Sequence, residues 1–368
     1  MSFVATEVQR QVADAARRLL GHYPARTLMS IAATPAGFDG ALWEQAARLG
    51  WPGVAVPEEF GGAGLTFADA AVLVEELGRA LQSGPYIDAI ALGHVLCQHA
   101  TAVQRERQLP ALASGALRPA LAVAETGRPW SPDGVTVRAA RDGDEWALTG
   151  SKAFVPHAEA ADLFAVPVRG RDGLMLGLVR RDGPGVTIRG LGTLDLTRRY
   201  CEVEFAGART AGVIAGGNAV AACLAAQQVL ICVETTGAAR RLLEMTVGYA
   251  KDRVQFDRPL ASFQAIKHTC ANMRMAVDVM TAASYQAVDE FTRTGGPSLG
   301  TDVAAAVVSE QAPRVAGEAL QVHGGIGMTW EHDLHLYLRR IRVNAMLYGS
   351  AGWHEARLAD AALAGAGQ

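Results

Sequence analysis

"YAKDRVQFDRPLASFQAIKHTCANM", Tyr249 to Met273, is the point at which one long helical pattern stops and another begins. Ahead of it, apolar residues recur at helical spacing from about Ala219 to Arg253. Behind it the pattern resumes from Ser262 to Arg293 and again from Thr301 to Val322. Pro259 has no N–H to give a helix and is expected to prevent the first one from continuing. Long helices joined by short connections predict an antiparallel bundle. The break itself carries groups suited to phosphates and flat rings. Arg253 offers a planar fork of donors, Gln255 and Gln264 can donate or accept, and Phe256 and Phe263 can cover rings. The plainer reading is that Arg253 pairs with Asp252 or Asp257 at the surface.

Working toward the N-terminus, seven short runs rich in Val, Leu and aromatics follow Leu117: ALAVAE, GVTVRAA, EWALTGS, LFAVPV, LMLGLV, GVTIRG and YCEVEF. Turn residues such as Asp182-Gly183-Pro184-Gly185 separate them, so this stretch reads as a small β-barrel or sandwich. Before it the helical period returns. "FADAAVLVEELGRAL" puts Phe67, Ala71, Val74 and Leu77 on one stripe with charges opposite. The expected architecture is α+β and multidomain: an N-terminal α-helical domain over 1–115, a middle β domain over 116–215, and a C-terminal long-helix bundle over 216–368.

Half of the residues are hydrophobic, 19% are charged, and the net charge is −3, which gives no reason to expect nucleic acid or an anionic membrane as partner. Cys97, Cys201, Cys223, Cys232 and Cys270 are scattered without a CxxC pair, as expected of reduced thiols in a cytoplasmic protein. The N-terminal segment places Val4, Val8, Val12 and Leu19 near one helical face amid charges, an amphipathic helix rather than a signal peptide. Ala219 to Val233 is the most apolar long stretch. It contains Gln227 and Gln228 and reads as too short to span a bilayer. No metal is expected. "HEARL" has Leu358 where a second zinc-binding histidine would stand, and His332 and His335 read as solvated helix-face residues.

Three blocks carry a more specific signal: Leu49 to Leu81 ("LGWPGVAVPEEFGGAGLTFADAAVLVEELGRAL"), the opening stretch, and Gln321 to Arg340 ("QVHGGIGMTWEHDLHLYLRR"). In that order, and over nearly the whole chain, they resemble the acyl-CoA dehydrogenase family of flavoproteins. The resemblance implies oxidation of an acyl-CoA thioester between its α and β carbons with FAD, and passage of electrons to an electron-transfer flavoprotein. It implies that Arg253, Gln255, Phe256, Phe263, Gln264, Gln321, Val322, His323, Gly324 and Gly325 hold the adenine end of a flavin whose ring lies in a neighbouring subunit. The helix in the third block is expected to end at His323-Gly324-Gly325, where glycine permits positive φ and close approach. Asp257 stands where the family has glycine, at about 1 kcal/mol of turn strain.

The groups that would do the chemistry are missing. The family's catalytic glutamate in a Tyr-Glu-Gly-Thr run matches Gly349 of Tyr348-Gly349-Ser350-Ala351. A second branch carries its glutamate 26 residues before the motif arginine, which here is Gln227, followed by Gln228. Neither glycine nor an amide can take a proton at neutral pH. The family's flavin-contacting Trp-Ile-Thr is Phe154-Val155-Pro156, and its Thr-Glu-Pro-x-Ala-Gly-Ser loop is "AETGRPWS", with Ala124 for threonine and Ser131 as the substrate-binding serine. Glu234 is the remaining candidate base. It lies seven residues beyond Gln227 on the same face, about 10 Å along the axis, and its plainer role is a buried acid bonded to a neighbouring helix. Glu125 is a weaker candidate.

The resemblance therefore points first to the base-lacking subunit of a heteromeric acyl-CoA dehydrogenase, completing the FAD site of a glutamate-bearing chain and acting on a bulky thioester such as a steroid side chain. The alternatives are a self-sufficient homomeric flavoenzyme with an atypical base, and a non-catalytic scaffold of the same fold.

Overall fold

The computed structural model describes residues 5–34, 37–143 and 145–366. Six helices come first: α1 (Glu7–Leu20), α2 (Leu28–Ala32), α3 (Gly40–Arg48), α4 (Phe67–Arg79), α5 (Tyr86–His99) and α6 (Ala102–Ala113). The strands β1 (Pro119–Leu121), β2 (Arg138–Asp142), β3 (Glu145–Pro156), β4 (Leu163–Gly170), β5 (Gly173–Arg180), β6 (Val186–Leu191) and β7 (Tyr200–Ala215) follow. After α7 (Gly217–Asp252) come the two-residue strands β8 (Val254–Gln255) and β9 (Arg258–Pro259), then α8 (Gln264–Thr294), α9 (Leu299–His323), α10 (Leu334–Leu347) and α11 (Ala351–Ala366). The architecture is helices, then a β-sheet domain, then a helical bundle, as the sequence pattern predicts.

Three helices open on reciprocal caps: Thr6 with Gln9, Thr66 with Asp69, and Thr101 with Gln104. Two face assignments need correction. In α1 the buried stripe is Gln9, Ala13, Ala16 and Leu20, and Val8 is exposed; Val4, expected on the same face, lies outside the described residues. The alanines let α1 lie close on α4, so the small face rather than the branched one turns inward. In α4 the charges are not solvated. Glu76 is buried against Arg17 at 2.7 Å, and Glu75 takes Arg240 at 2.8 Å and the Tyr285 hydroxyl at 2.6 Å.

All seven β runs become strands. The sheet runs β1-β4-β2-β3-β7-β5, with β6 on β7, and β5 pairs back to β4, closing a barrel. Val137, Leu148, Phe164, Val166, Val203 and Phe205 fill it. The ladder of β3 on β7 slips between Lys152 and Val155, where Phe154 takes φ 51°. Such a bulge turns the strand end and re-aims its last residues.

In the bundle, α7 is buried almost all round. It meets α4 backbone to backbone at two glycines: a Cβ on Gly78 would lie 2.0 Å from the Glu234 carbonyl oxygen, and one on Gly237 2.2 Å from that of Glu75. The length expectation for this segment is overturned. At 36 residues, with a window of mean hydropathy 1.5, α7 is long and apolar enough to cross a membrane by length and composition, and 94% of that window is buried inside the protein. Nor does Pro259 end α7. The helix stops at Asp252, Arg253 turns extended, and Pro259 sits in β9.

Candidate active site

Two of the positions at which the sequence lacks an expected reactive group, Gln227 and Pro156, converge, with the neighbour of a third beside them. Gln227 from α7, Pro156 from the end of β3 and Tyr348, beside Gly349, line one narrow cavity of about 10 Å³ with Asp88, His157 and Arg198. That is room for no more than one water. An acyl thioester does not fit it.

Each position at which the resemblance leads one to expect a base is occupied differently. Gly349 has φ 99°, and a Cβ there would lie 2.7 Å from His354 Nε2 and 2.7 Å from Trp353 Cε3. His354 is buried and pinned, with Nδ1 2.8 Å from Asp302 Oδ1 and Nε2 3.1 Å from the Tyr348 carbonyl oxygen. Arg357 holds the same carboxylate at 2.9 Å. The loop has no space for a glutamate. The Gln227 amide donates to Asp88 Oδ1 at 3.3 Å, and its Oε1 has no partner in the protein. Burial pushes the Asp88 carboxyl up to about 7, against the opposing pull of Arg198 and the Gln227 bond. Sequence reasoning missed Asp88. Its signal was present: a lone acid in the otherwise apolar run Tyr86 to Gly93.

Glu234 is fully engaged. Its Oε1 accepts from Arg198 Nη2 and, at 3.2 Å, from Arg340 Nη1, while Oε2 accepts from Asn344 at 3.0 Å. Arg340 also holds Asp195 and Thr197, so two cations and two carboxylates balance in the interior. Burial raises the Glu234 carboxyl, but the two arginines outweigh it and hold the group below its usual range. The neighbouring-helix partner expected for Glu234 is α10, and Arg198 in the loop before β7 adds a link to the barrel. Glu125 is equally occupied: Lys152 Nζ lies 2.6 Å from it, and Thr136 and Val137 donate backbone N–H groups.

The other β-domain positions fall elsewhere. Ala124 and Phe154 line a mainly apolar cavity of about 410 Å³ with Leu194, Tyr200 and Met346. Ser131 lines a third, of about 270 Å³, with Gln228, Trp353 and His354. The sequence motifs thus separate into a narrow polar site and two larger cavities flanking it, with Trp130 on the wall of both.

The second and third motif blocks do meet. Tyr249 stacks on His323 with ring centroids 4.4 Å apart, and His332 packs edge-on to the same imidazole at 4.9 Å. His332 and His335 are therefore packed residues rather than solvated ones; His335 is buried against Trp330. The segment from Arg253 to Pro259 forms a hairpin whose two turn residues, Phe256 (φ 53°) and Asp257 (φ 60°), are both left-handed. Two such non-glycine residues cost about 1–2 kcal/mol each. The hairpin holds Phe256 at 86% exposure, and no ion pair to Arg253 occurs among the described residues. Phe263 has one face under the Arg258 guanidinium at 4.0 Å, Gln264 turns to His268, and Gln255 folds back on Val254. Gln321 is exposed, whereas Val322 is buried and has only its backbone to offer. Of the glycine pair only Gly324 uses positive φ, at 62°, and both have open space where a side chain would be. His323 Nδ1 is tied to the Ala319 carbonyl oxygen at 2.8 Å, leaving a buried Nε2 without a partner. An exposed unpaired arginine, a presented aromatic ring, an open glycine turn and an orphaned imidazole nitrogen fit the pyrophosphate and adenine end of FAD.

Residues 6–116 match the N-terminal domain of acyl-CoA dehydrogenase and residues 215–363 its C-terminal domain. The chain is 35% identical over 315 residues to acyl-CoA dehydrogenase IpdE2 of Mycolicibacterium smegmatis, covering 85% of each chain. Among solved structures it is similar to the Tcur3481-Tcur3483 steroid ACAD, with TM-score 0.89, 28% identity, and 98% and 99% of the two chains covered. It is also similar to the ChsE4-ChsE5 complex of Mycobacterium tuberculosis, with TM-score 0.90, 25% identity and 98% of each chain covered.

Proposed function

The chain belongs to the acyl-CoA dehydrogenase family, whose members use FAD, and on that premise we propose that it is the base-lacking subunit of a heteromeric acyl-CoA dehydrogenase. The observation that carries this reading is what surrounds the two expected glutamate positions: His354 and Trp353 fill the side-chain space at Gly349, and the Asp88 carboxyl lies against Gln227, where a second carboxylate would be repelled. In this role Arg253 holds the pyrophosphate, Phe256 covers a ring, and the His323-Gly324-Gly325 turn receives the adenine end, all for a site whose base comes from a second, glutamate-bearing chain. FAD bound there supplies the acceptor for the hydride that leaves the β carbon. Ten consecutive exposed or half-buried residues from Lys251 to Leu260 suit a surface that a partner covers. Ser131 and Gln228, in the 270 Å³ cavity, are the contacts this chain offers a thioester.

Two similar structures carry two-component names, and one of them is a steroid ACAD. By that likeness the substrate is a CoA thioester of a bulky acyl group, the electron acceptor an electron-transfer flavoprotein, and the location cytoplasmic. A self-sufficient enzyme is the second reading. What favours it is Asp88, a carboxyl lifted toward neutral pH and in contact with a base position. Co-expression with a glutamate-bearing relative decides between them. A stable complex that holds flavin, where the lone chain holds none that acyl-CoA can reduce, supports the heteromer. A lone chain with reducible flavin, made inert by Asp88→Asn, supports the other.

A further inference from the structure

The narrow site has an inventory of its own. Its cavity, about 10 Å³, is bounded by α5, the end of β3, the loop before β7 and α7. Three polar atoms on the side chains that line it have no partner in the protein: Arg198 Nε, Gln227 Oε1 and His157 Nδ1. Their residues are 5%, 1% and 4% exposed, so bulk water does not satisfy them. Buried orphans cost about 1–3 kcal/mol each and are rare in folded proteins, and three around one void call for a shared partner.

The chemistry of the three atoms identifies it. Arg198 Nε only donates, Gln227 Oε1 only accepts, and His157 Nδ1 takes either role with its tautomer. The other two donating nitrogens of Arg198 are already committed to Glu234. A cation is disfavoured by the guanidinium and an anion by the Asp88 carboxyl. The volume admits one non-hydrogen atom. One water accepts from Arg198, donates one hydrogen to Gln227 Oε1, and gives the other to His157 Nδ1 or to Asp88. We propose that this cavity is a binding site for a single fixed water, held by Arg198, Gln227 and His157 beside Asp88. It ties the N-terminal helices, the barrel and the bundle together where relatives place their base. The inference goes beyond the proposed function and holds whether or not a partner chain exists.

A crystal structure of the full chain, at a resolution that shows ordered waters, tests it. One peak is expected in the cavity, about 2.7–3.2 Å from both Arg198 Nε and Gln227 Oε1. An empty cavity, or Gln227 rotated to bond Arg198 directly, overturns the proposal. Gln227→Leu keeps the volume and removes the acceptor. The peak should then vanish and the melting temperature fall, and a retained peak or an unchanged melting temperature counts against it. If that variant does not accumulate, the crystal of the unsubstituted chain decides alone.

Discussion

Restoring a glutamate at Gln227 should not restore a base, and it should make the protein pH-sensitive. Glutamate is close to glutamine in shape, so Gln227→Glu puts a carboxylate oxygen where the amide now lies 3.3 Å from Asp88 Oδ1. Two full negative charges at that distance repel by about 5 kcal/mol at an effective dielectric near 20. Arg198 is already committed to Glu234 and gives limited relief. One proton is therefore retained by the pair, and the carboxyl that keeps it has a folded-state pKa above its unfolded value. The sign follows. For a carboxyl whose folded pKa is raised, stability is full below the unfolded pKa and is lost as pH rises through the folded one. Urea denaturation across a pH series should show Gln227→Glu losing up to about 5 kcal/mol relative to the parent on the alkaline side, with little difference in acid. Adding Asp88→Asn removes the second charge and should return the double variant to near-parental behaviour. Parallel curves for Gln227→Glu and the parent, or no rescue by Asp88→Asn, would refute the contact between the base position and Asp88.

Gly349→Glu fails differently. Its φ of 99° costs a non-glycine residue about 1–2 kcal/mol, and the clash with His354 and Trp353 adds about 1–3 kcal/mol of overpacking. Thermal melts should show the combined loss at every pH, without acyl-CoA-dependent flavin reduction. Glu234→Gln removes the anion shared by Arg198 and Arg340 and should destabilise by about 3–5 kcal/mol, measured by denaturant titration. A variant as stable as the parent would contradict the ion-pair core. Arg253→Ala should leave the fold intact, since the residue is exposed, but lower flavin affinity of the complex by roughly ten- to a hundredfold, read by absorbance after desalting. Unchanged flavin content would remove Arg253 from the site.

The fold was largely legible because its signals are local. The seven β runs and the helical period from Ala219 onward each depend on near neighbours in sequence. What escaped depends on distant partners. Val8 looked inward by pattern, yet the alanine face of α1 packs on α4. Glu75 and Glu76 read only as charges opposite the apolar stripe, because Arg240 and Arg17, which pair with them, lie far off in the chain. That Gly349 and Gln227 stand where the resemblance implies a glutamate could be read from motifs, but what surrounds them could not. Nothing in the residues around Gly349 says that His354 will fill its side-chain space, since that depends on Asp302 from α9. Asp88 belonged to no motif and became visible only when α5 was packed against α7.

In the proposed role this polypeptide does not start the reaction by itself. This is tested most directly by loading the purified lone chain with FAD and mixing it anaerobically with acyl-CoA thioesters, steroid-type acyl groups included, while following the flavin's visible absorbance. The account predicts no bleaching in the lone chain and bleaching once a glutamate-bearing partner is present. Prompt bleaching of a homogeneous lone chain would contradict it.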